Sequence, residues 1–195
     1  MIGKFRMLMF MVSVLLFASC AKNSIEPSAE IVTKEYDFNS IKSITATSRG
    51  IIVYYAQNAV TSVKAEGPEN MVENLRISND TAGQLFIELK KFDQFNITSD
   101  SQRVKIYVSS PQLYSIQAMN EASVIVPDQI RAPKIFSVEA FNSSMVRISA
   151  IKGRYVEIQS FMNSEISIDS IDASHVDATP SYGASITIAG NTIHP

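Results

Sequence analysis

The sequence predicts an all-β domain built as a β-solenoid, a parallel β-helix-like stack of 20–22-residue coils. Three observations predict it: short runs of alternating apolar and polar residues after position 36, an internal repeat in the second half, and no sustained helical period. A β-sandwich or a meander with hairpins is the alternative, because residues 80–83 can close a hairpin.

The first 19 residues have the composition of an export signal. Lys4 and Arg6 precede eleven residues, Met7 to Phe17, of which only Ser13 is polar. This run is shorter than the stretch of about 20 apolar residues that spans a bilayer. Phe17-Ala18-Ser19-Cys20 resembles the lipobox of bacterial lipoproteins, which implies cleavage before Cys20 and lipid attachment to its thiol. We therefore predict a lipoprotein signal peptide over residues 1–19, with ordinary secretion as the alternative.

Cys20 is the single cysteine of the 195 residues, so the chain can form no internal disulfide. Several acyl chains on one residue hold a protein on a membrane far better than one chain does. Residues 20–35 are polar, contain Pro27 and are predicted to be a flexible tether. We predict a lipid-anchored protein of the cell envelope, with the outer membrane favoured and the periplasmic or surface side left open.

Charge and length limit the partners and the domain count. The net charge is −2, and cleavage before Cys20 removes Lys4 and Arg6, which leaves the mature chain more acidic. A nucleic-acid partner would require a basic face that displaces counterions, so none is predicted. The length suits one domain, which we place at residues 36–195.

The first half of this domain reads as irregular strands. Residues 44–53 predict a strand, a corner at Gly50 and a second strand, and residues 84–89 and 103–108 predict two more. Residues 68–75 predict one helical turn that packs on the sheet, because Met71, Val72 and Leu75 share a face.

The second half carries the repeat, in the segments 116–124, 138–146, 158–166 and 178–186. Their last residues lie 22, 20 and 20 positions apart, so equivalent residues should stack about 4.7–4.9 Å apart. The predicted columns are Ile116/Val138/Ile158 and Val124/Val146/Ile166/Ile186 inward, Gln117/Glu139/Gln159/Thr179 toward water, and small residues at the corner, Ala122/Ser144/Ser164/Ala184.

These motifs together resemble a known family. The motifs are the lipobox, Phe38–Ile41 leading to Gly50–Tyr54, Leu85–Ile87 before Val104–Leu113, and repeats of the type Asn120–Val124 and Tyr182–Ile186. The chain is similar to the putative auto-transporter adhesins with a head GIN domain over residues 36–190. The resemblance implies a solenoid-like domain in exported bacterial proteins, with no established activity and no catalytic residues.

Catalytic motifs are absent from the sequence. The two histidines, His175 and His194, are isolated, and the carboxylates of the repeat stand singly among Ser and Thr. We predict no enzyme, no catalytic or metal-binding residue and no cofactor; a polysaccharide-active enzyme is the third of three functional hypotheses.

Met119, Phe141 and Phe161 are the candidate contact residues. If alternation holds, they point outward as an apolar ladder suited to a sugar ring or a partner; if the chain turns there, they fill an inner corner. The asparagines that follow, Asn120 and Asn142, favour the inner corner. The first functional hypothesis is a membrane-tethered binding or adhesion module for a glycan or protein ligand. The alternative is a structural or assembly component of the envelope that associates through strand edges.

Overall fold

The computed structural model describes residues 24–195, so the predicted signal peptide and Cys20 lie outside the described residues. In this part of the chain, fourteen strands, one short α-helix and one 3-10 turn (Asp100–Gln102) are joined by turns and loops, and the prediction of an all-β fold is confirmed. The elements are β1 (Ile31–Tyr36), β2 (Ser43–Thr47), β3 (Ile51–Gln57), β4 (Ser62–Pro68), α1 (Glu69–Glu73), β5 (Leu75–Asn79), β6 (Gln84–Leu89), β7 (Val104–Ser110), β8 (Ser115–Met119), β9 (Ser123–Arg131), β10 (Ile135–Phe141), β11 (Met145–Phe161), β12 (Glu165–Ser181), β13 (Ser185–Ile188) and β14 (Asn191–Ile193).

The strands pair into one mixed sheet that has two rows. Row A contains β5, β6, β2, β8, β10 and the second halves of β11 and β12. Row B contains β1, β4, β7, β3, β9, the first halves of β11 and β12, and then β13 and β14. Because β11 and β12 are each 17 residues long and belong to both rows, they join row B to row A.

The repeat pairs in parallel with the register that the sequence predicted. Val138 lies between Ile116 and Ile158 in row A, and Val124, Val146, Ile166 and Ile186 follow one another in row B. All of these side chains are buried in one hydrophobic cluster that both rows share. The two predicted inward columns are therefore confirmed.

The first repeat is two residues longer than the later ones, and the register shows where they are inserted. Pro127 and Asp128 oppose the single residue Ser149, which makes a bulge between β9 and β11. Residues 132–134 oppose only residues 153–154 before pairing resumes at Ile135. A proline is tolerated in a bulge because the ladder is already interrupted there. Both insertions sit outside the predicted columns, which stay in register.

The sheet as a whole is mixed and is not the uniform parallel solenoid that the sequence predicted. The pairs β1–β4, β4–β7, β5–β6 and β13–β14 are antiparallel. Short connections explain two of these four pairs, because the four residues between β5 and β6 and the two between β13 and β14 can join neighbouring antiparallel strands but not neighbouring parallel ones. In the turn between β5 and β6, the Asp80 carboxylate accepts the N–H groups of Ala82 and Gln84, and Gly83 has φ +87°. The hairpin considered as a sequence alternative thus exists inside the larger sheet.

The folded part begins earlier than the sequence indicated. Ile25 forms a bridge with Phe95, and β1 pairs with β4 along its whole length. The predicted flexible tether of residues 20–35 is therefore wrong from Ile25 onward. Strand β1 gave a weak signal because most of its side chains are exposed at the edge of the sheet. The predicted helical turn is confirmed as α1, whose Met71 and Val72 are buried against the sheet.

The corners of the repeat share one unusual backbone conformation. Two consecutive residues have positive φ at each corner: Asn120-Glu121, Asn142-Ser143, Met162-Asn163 and Tyr182-Gly183. The second N–H of each corner donates to the first C=O of the next, from Glu121 to Asn142 at 2.9 Å and from Ser143 to Met162 at 2.9 Å. Asn and Gly adopt this conformation at the least cost, which explains why they recur at the corners.

A column of small buried residues lies directly behind these corners, as predicted. It consists of Ala122, Ser144, Ser164 and Ala184. The Ser164 hydroxyl donates to the carbonyl of Ala140 at 2.8 Å and accepts the N–H of Phe161 at 3.0 Å. Ser144 makes the equivalent bonds to Ala118 and Phe141 one coil earlier. These hydroxyls therefore satisfy backbone groups that the turn leaves unpaired.

We predict that Ser164→Ala destabilises the domain by about 1–3 kcal/mol, because the Phe161 N–H and the Ala140 carbonyl lose a partner in a buried site. Urea unfolding followed by circular dichroism measures the change. Ser167→Ala, three residues later at a half-buried position in β12, is the matched control and should change stability by less than about 0.5 kcal/mol. Equal effects of the two substitutions would contradict a structural role of the corner hydroxyl.

Candidate functional site

Met119, Phe141 and Phe161 occupy equivalent positions on three neighbouring strands of row A. Their preceding residues, Ala118, Ala140 and Ser160, are completely buried, whereas the three candidate side chains are half-buried. Alternation therefore continues to the ends of these strands, and the column lies on the outer face of row A. The inner-corner placement is wrong because the turn begins one residue later, at the positive-φ residues.

The asparagines that suggested an inner corner do bond along the stack, but beside the column. The Asn142 side-chain amide donates to the Asn120 oxygen at 3.0 Å, and the Asn120 amide donates to the Thr47 hydroxyl at 2.9 Å. This ladder fixes the corner at one end of the column. It leaves the rings of Phe141 and Phe161 on the outer surface.

The two phenylalanine rings are stacked. Their centroids are 5.1 Å apart and their planes differ by 6°. This separation is close to the roughly 4.7–4.9 Å between neighbouring strands, so the backbone ladder itself sets the stacking distance. The next position of the column is Ser181, which has no ring to stack on Phe161. At the adjoining corner, Met162 is 52% exposed and Tyr182 is 75% exposed.

A polar column runs beside the rings on the same face. The Gln117 amide donates to Glu139 at 2.8 Å, and the Gln159 amide donates to Glu157 at 2.7 Å. Gln117, Glu139 and Gln159 are half-buried and Thr179 is exposed, so the predicted polar column is on the outer side. Amide and carboxylate groups held in such pairs present fixed hydrogen-bonding atoms to a ligand.

A second ring column bounds the other end of this face. Tyr155 stacks on His175 with centroids 4.7 Å apart and planes 20° apart, and the exposed Ile135 precedes them in register. Tyr155 lies six residues before Phe161, a distance of about 20 Å along an extended strand. His175, which the sequence shows as an isolated histidine, is exposed. The outer face of row A thus has aromatic residues at both ends and polar residues between them.

Row B carries a ring pair that the sequence analysis missed. Tyr54 and Tyr107 stack with centroids 5.5 Å apart, and the Lys64 ammonium lies 5.3 Å from the Tyr107 centroid. A hollow of about 330 Å³ beside them is lined by Tyr54, Lys105, Ile125 and neighbouring residues. Alternation with buried residues could have indicated that each tyrosine faces outward. Their stacking could not be foreseen, because it depends on the pairing of two strands that lie far apart in the sequence.

The titratable groups of the described residues include two tyrosines whose pKa values are shifted by burial. Within residues 24–195, no group of three or more His, Cys, Asp and Glu side chains is arranged to hold a metal ion. Burial raises the pKa of Tyr55, whose hydroxyl donates to the Ser110 carbonyl at 3.2 Å, and burial also raises the pKa of Tyr36. Both tyrosines are therefore neutral parts of the packing and not bases poised near neutral pH.

The sequence profile of one protein family matches residues 37–194, and that family is described as putative auto-transporter adhesin, head GIN domain. The chain belongs to this family. The match covers nearly the whole described region, so the resemblance drawn from soft sequence motifs is confirmed. A comparison with curated proteins gives no match for this head GIN domain.

Solved structures show the same fold at low identity. A putative adhesin from Parabacteroides distasonis has 13% identity and a TM-score of 0.71, covering 85% of this chain and 67% of its own. A putative adhesin from Bacteroides fragilis has 17% identity and a TM-score of 0.56, covering 85% and 100%. One from Parabacteroides merdae has 13% identity and a TM-score of 0.52, covering 85% and 84%. These likenesses establish the fold of the head GIN domain and not its ligand.

The family is described as adhesins, and adhesins are extracellular or cell-surface proteins. The structural neighbours named above carry the same description and none is described as an enzyme. Across residues 24–195, no helix has the length and apolar character required to cross a bilayer.

We predict that Phe161→Ser lowers the stability by about 1 kcal/mol, because the ring is half-exposed and its loss removes mainly one stacking contact. Ile158→Ala, three residues earlier and fully buried, should cost about 2–5 kcal/mol. Denaturant unfolding of the two variants compares a surface residue with a core residue of the same strand. A larger cost for Phe161→Ser than for Ile158→Ala would show that the ring belongs to the core.

Proposed function

We propose that this head GIN domain is a lipid-tethered binding module of the adhesin type, whose ligand contacts Met119, Phe141 and Phe161. The observation that carries the proposal is the in-register, outward column of stacked rings beside a column of paired amides and carboxylates. A monomeric domain has no structural need to place large apolar side chains on the outer face of its sheet, so such a column favours contact with a partner.

The repeat supports this role because it makes a rigid scaffold. We infer that the parallel coils from β8 to β13 form a short β-solenoid whose rung spacing fixes the distances between surface residues. A ligand with a repeating structure can then match several rungs at once. The two residues inserted in the first coil are absorbed by a bulge and a longer turn, so the surface column keeps its spacing.

A glycan is the ligand class that this surface fits best. Sugar rings pack their apolar C–H faces against aromatic side chains, and their hydroxyls pair with amides and carboxylates. The outer face of row A offers both, with Phe141 and Phe161 at one end, Tyr155 and His175 at the other, and Gln117, Glu139 and Gln159 between. A protein ligand is the alternative outcome of the binding test.

The proposed tether is lipid on Cys20. Because the fold begins at Ile25, only the four residues 21–24 separate the anchor from the domain. Five extended residue steps span at most about 18 Å, so the domain would stay close to the membrane surface. This is shorter than the tether of residues 20–35 that composition alone suggested.

We predict that Phe141→Ala/Phe161→Ala abolishes glycan binding by the full-length chain on a glycan array, because the variant removes both stacked rings. The matched control is Tyr54→Ala/Tyr107→Ala, which removes a stacked ring pair from row B and should leave binding unchanged. Equal binding by the wild type and the phenylalanine variant would count against this surface. Loss of binding only in the tyrosine variant would move the site to row B.

We predict that Cys20→Ser prevents labelling of the chain with radioactive palmitate and moves the protein from the membrane fraction to the soluble fraction. Ser19→Ala keeps a small residue before the cysteine and should behave as the wild type. Protease treatment of intact cells then reports whether the anchored domain is on the surface. A Cys20→Ser protein that still takes up palmitate would overturn the proposed anchor.

A further inference from the structure

The last strand of row A has an unpaired edge. Strand β12 pairs with β11 along its length, whereas β13 covers only Glu165–Ile168 on the other side. From residue 170 to Ser181, no strand in the described part of the chain pairs with the outer edge of β12. An edge of this length is a template for the addition of another strand.

The repeat shows which backbone groups this edge presents. The N–H of Ser137 donates to Tyr114, and the N–H of Tyr155 donates to Lys134, so both point toward the preceding coil. Asp177 and His175 are their equivalents in the last coil. Because backbone direction alternates along a strand, Ser174, Val176 and Ala178 direct their N–H and C=O groups to the free edge. The backbone nitrogen of Pro180 also faces the free edge. Its missing N–H therefore removes no hydrogen bond between β12 and β11.

The core is also open at this end. Val176 continues the buried position of Val156 but is 39% exposed, because no further coil within residues 24–195 covers it. Ile171, Ala178 and Ile188 are only half-buried, and Ile193 is 39% exposed. The edge and the apolar side chains behind it therefore form one docking surface.

We propose that a second copy of this chain docks on this surface, with the two β12 edges antiparallel and Val176 opposite Val176 across a two-fold axis. This register pairs Ser174 with Ala178, so the edge groups of both strands meet as hydrogen-bonded pairs. It also places His175 opposite Asp177 twice, on the outward side of the sheet, where each imidazole can donate a hydrogen bond to the carboxylate on the other strand. The arrangement is isologous, as a two-fold interface must be.

The neighbouring registers lack this complementarity. A shift of two in one direction puts His175 opposite His175, and a shift of two in the other puts Asp177 opposite Asp177. Two carboxylates directly opposite one another destabilise a strand pair, and two opposed imidazoles have no carboxylate to accept their N–H groups. In the proposed register, Pro180 faces Asp172 at the ends of the paired segment, where a missing N–H limits the length of the pairing. The residues at positions 175 and 177 and the directions of the backbone groups thus favour one register, with a second copy of the chain as the partner.

The test uses the full-length chain in detergent and measures its protein mass by size-exclusion chromatography with multi-angle light scattering. We expect a concentration-dependent dimer for the wild type. Asp177→Lys replaces the carboxylate opposite each His175 with an ammonium group, which cannot accept a hydrogen bond, and should weaken dimerisation about tenfold or more. His175→Asp/Asp177→Lys places a carboxylate opposite an ammonium group and should restore the dimer. Asp169→Lys makes the same charge change outside the paired segment and should dimerise as the wild type.

A wild-type chain that stays monomeric at every concentration would overturn the proposal, as would an Asp177→Lys variant that dimerises as well as the wild type. A dimer that the double variant fails to restore would also overturn it, because the restored cross-strand pairing would then not matter. Circular dichroism of each variant shows whether it is folded. Glycan binding is measured separately at Phe141 and Phe161, so failure of one proposal does not decide the other.

Discussion

The parallel register between coils is the constraint on which the rest of the structure depends. Because each residue of β10 pairs with its equivalents in β8 and β11, one side-chain type repeats down a column. Inward columns of Val and Ile make the core, and the same spacing stacks Phe141 on Phe161 outside it. A one-residue slip would exchange these two faces, so the buried columns also hold the surface in place. Core and candidate site are thus consequences of one pairing.

The corners maintain this register at a conformational cost. Residues such as Glu121, Ser143 and Met162 have positive φ, which costs a non-glycine residue about 1 kcal/mol or more. Bonds from corner to corner and the buried Ser144 and Ser164 hydroxyls offset this cost. The hydroxyls bond backbone atoms in their own coil and in an earlier one, so they align each turn with its neighbours. The column of small residues therefore fixes the register between neighbouring coils, and it also fits into the narrow space behind the turns.

The columns of the second half could be predicted from the sequence because their period and alternation are local properties. Ile116, Val138 and Ile158 show them directly. The outward placement of Phe141 could not be predicted from the sequence, because it depends on whether the turn begins at Phe141 or at the next residue. Strand β1 was missed since its exposed side chains carry no apolar period, and the Tyr54–Tyr107 pair depends on an order of strands that the sequence does not reveal. Local patterns thus specify the coil, and long-range pairing specifies what surrounds it.

The edge strands of the sheet differ in how they are protected, and this difference affects whether a second copy of the chain can pair with them. Strand β1 is an edge strand with exposed Lys34 and Glu35, and β5 is a short edge strand with exposed Arg76. Charges and short length are the usual protection of a strand edge. Row B ends in the hairpin β13–β14, which covers the first half of β12. Among the described residues, no such hairpin covers the second half of β12, which carries the imidazole of His175 and the carboxylate of Asp177 two residues apart. Two carboxylates at these positions would repel a second copy, whereas an imidazole and a carboxylate two residues apart can pair with an antiparallel second copy across the exposed edge.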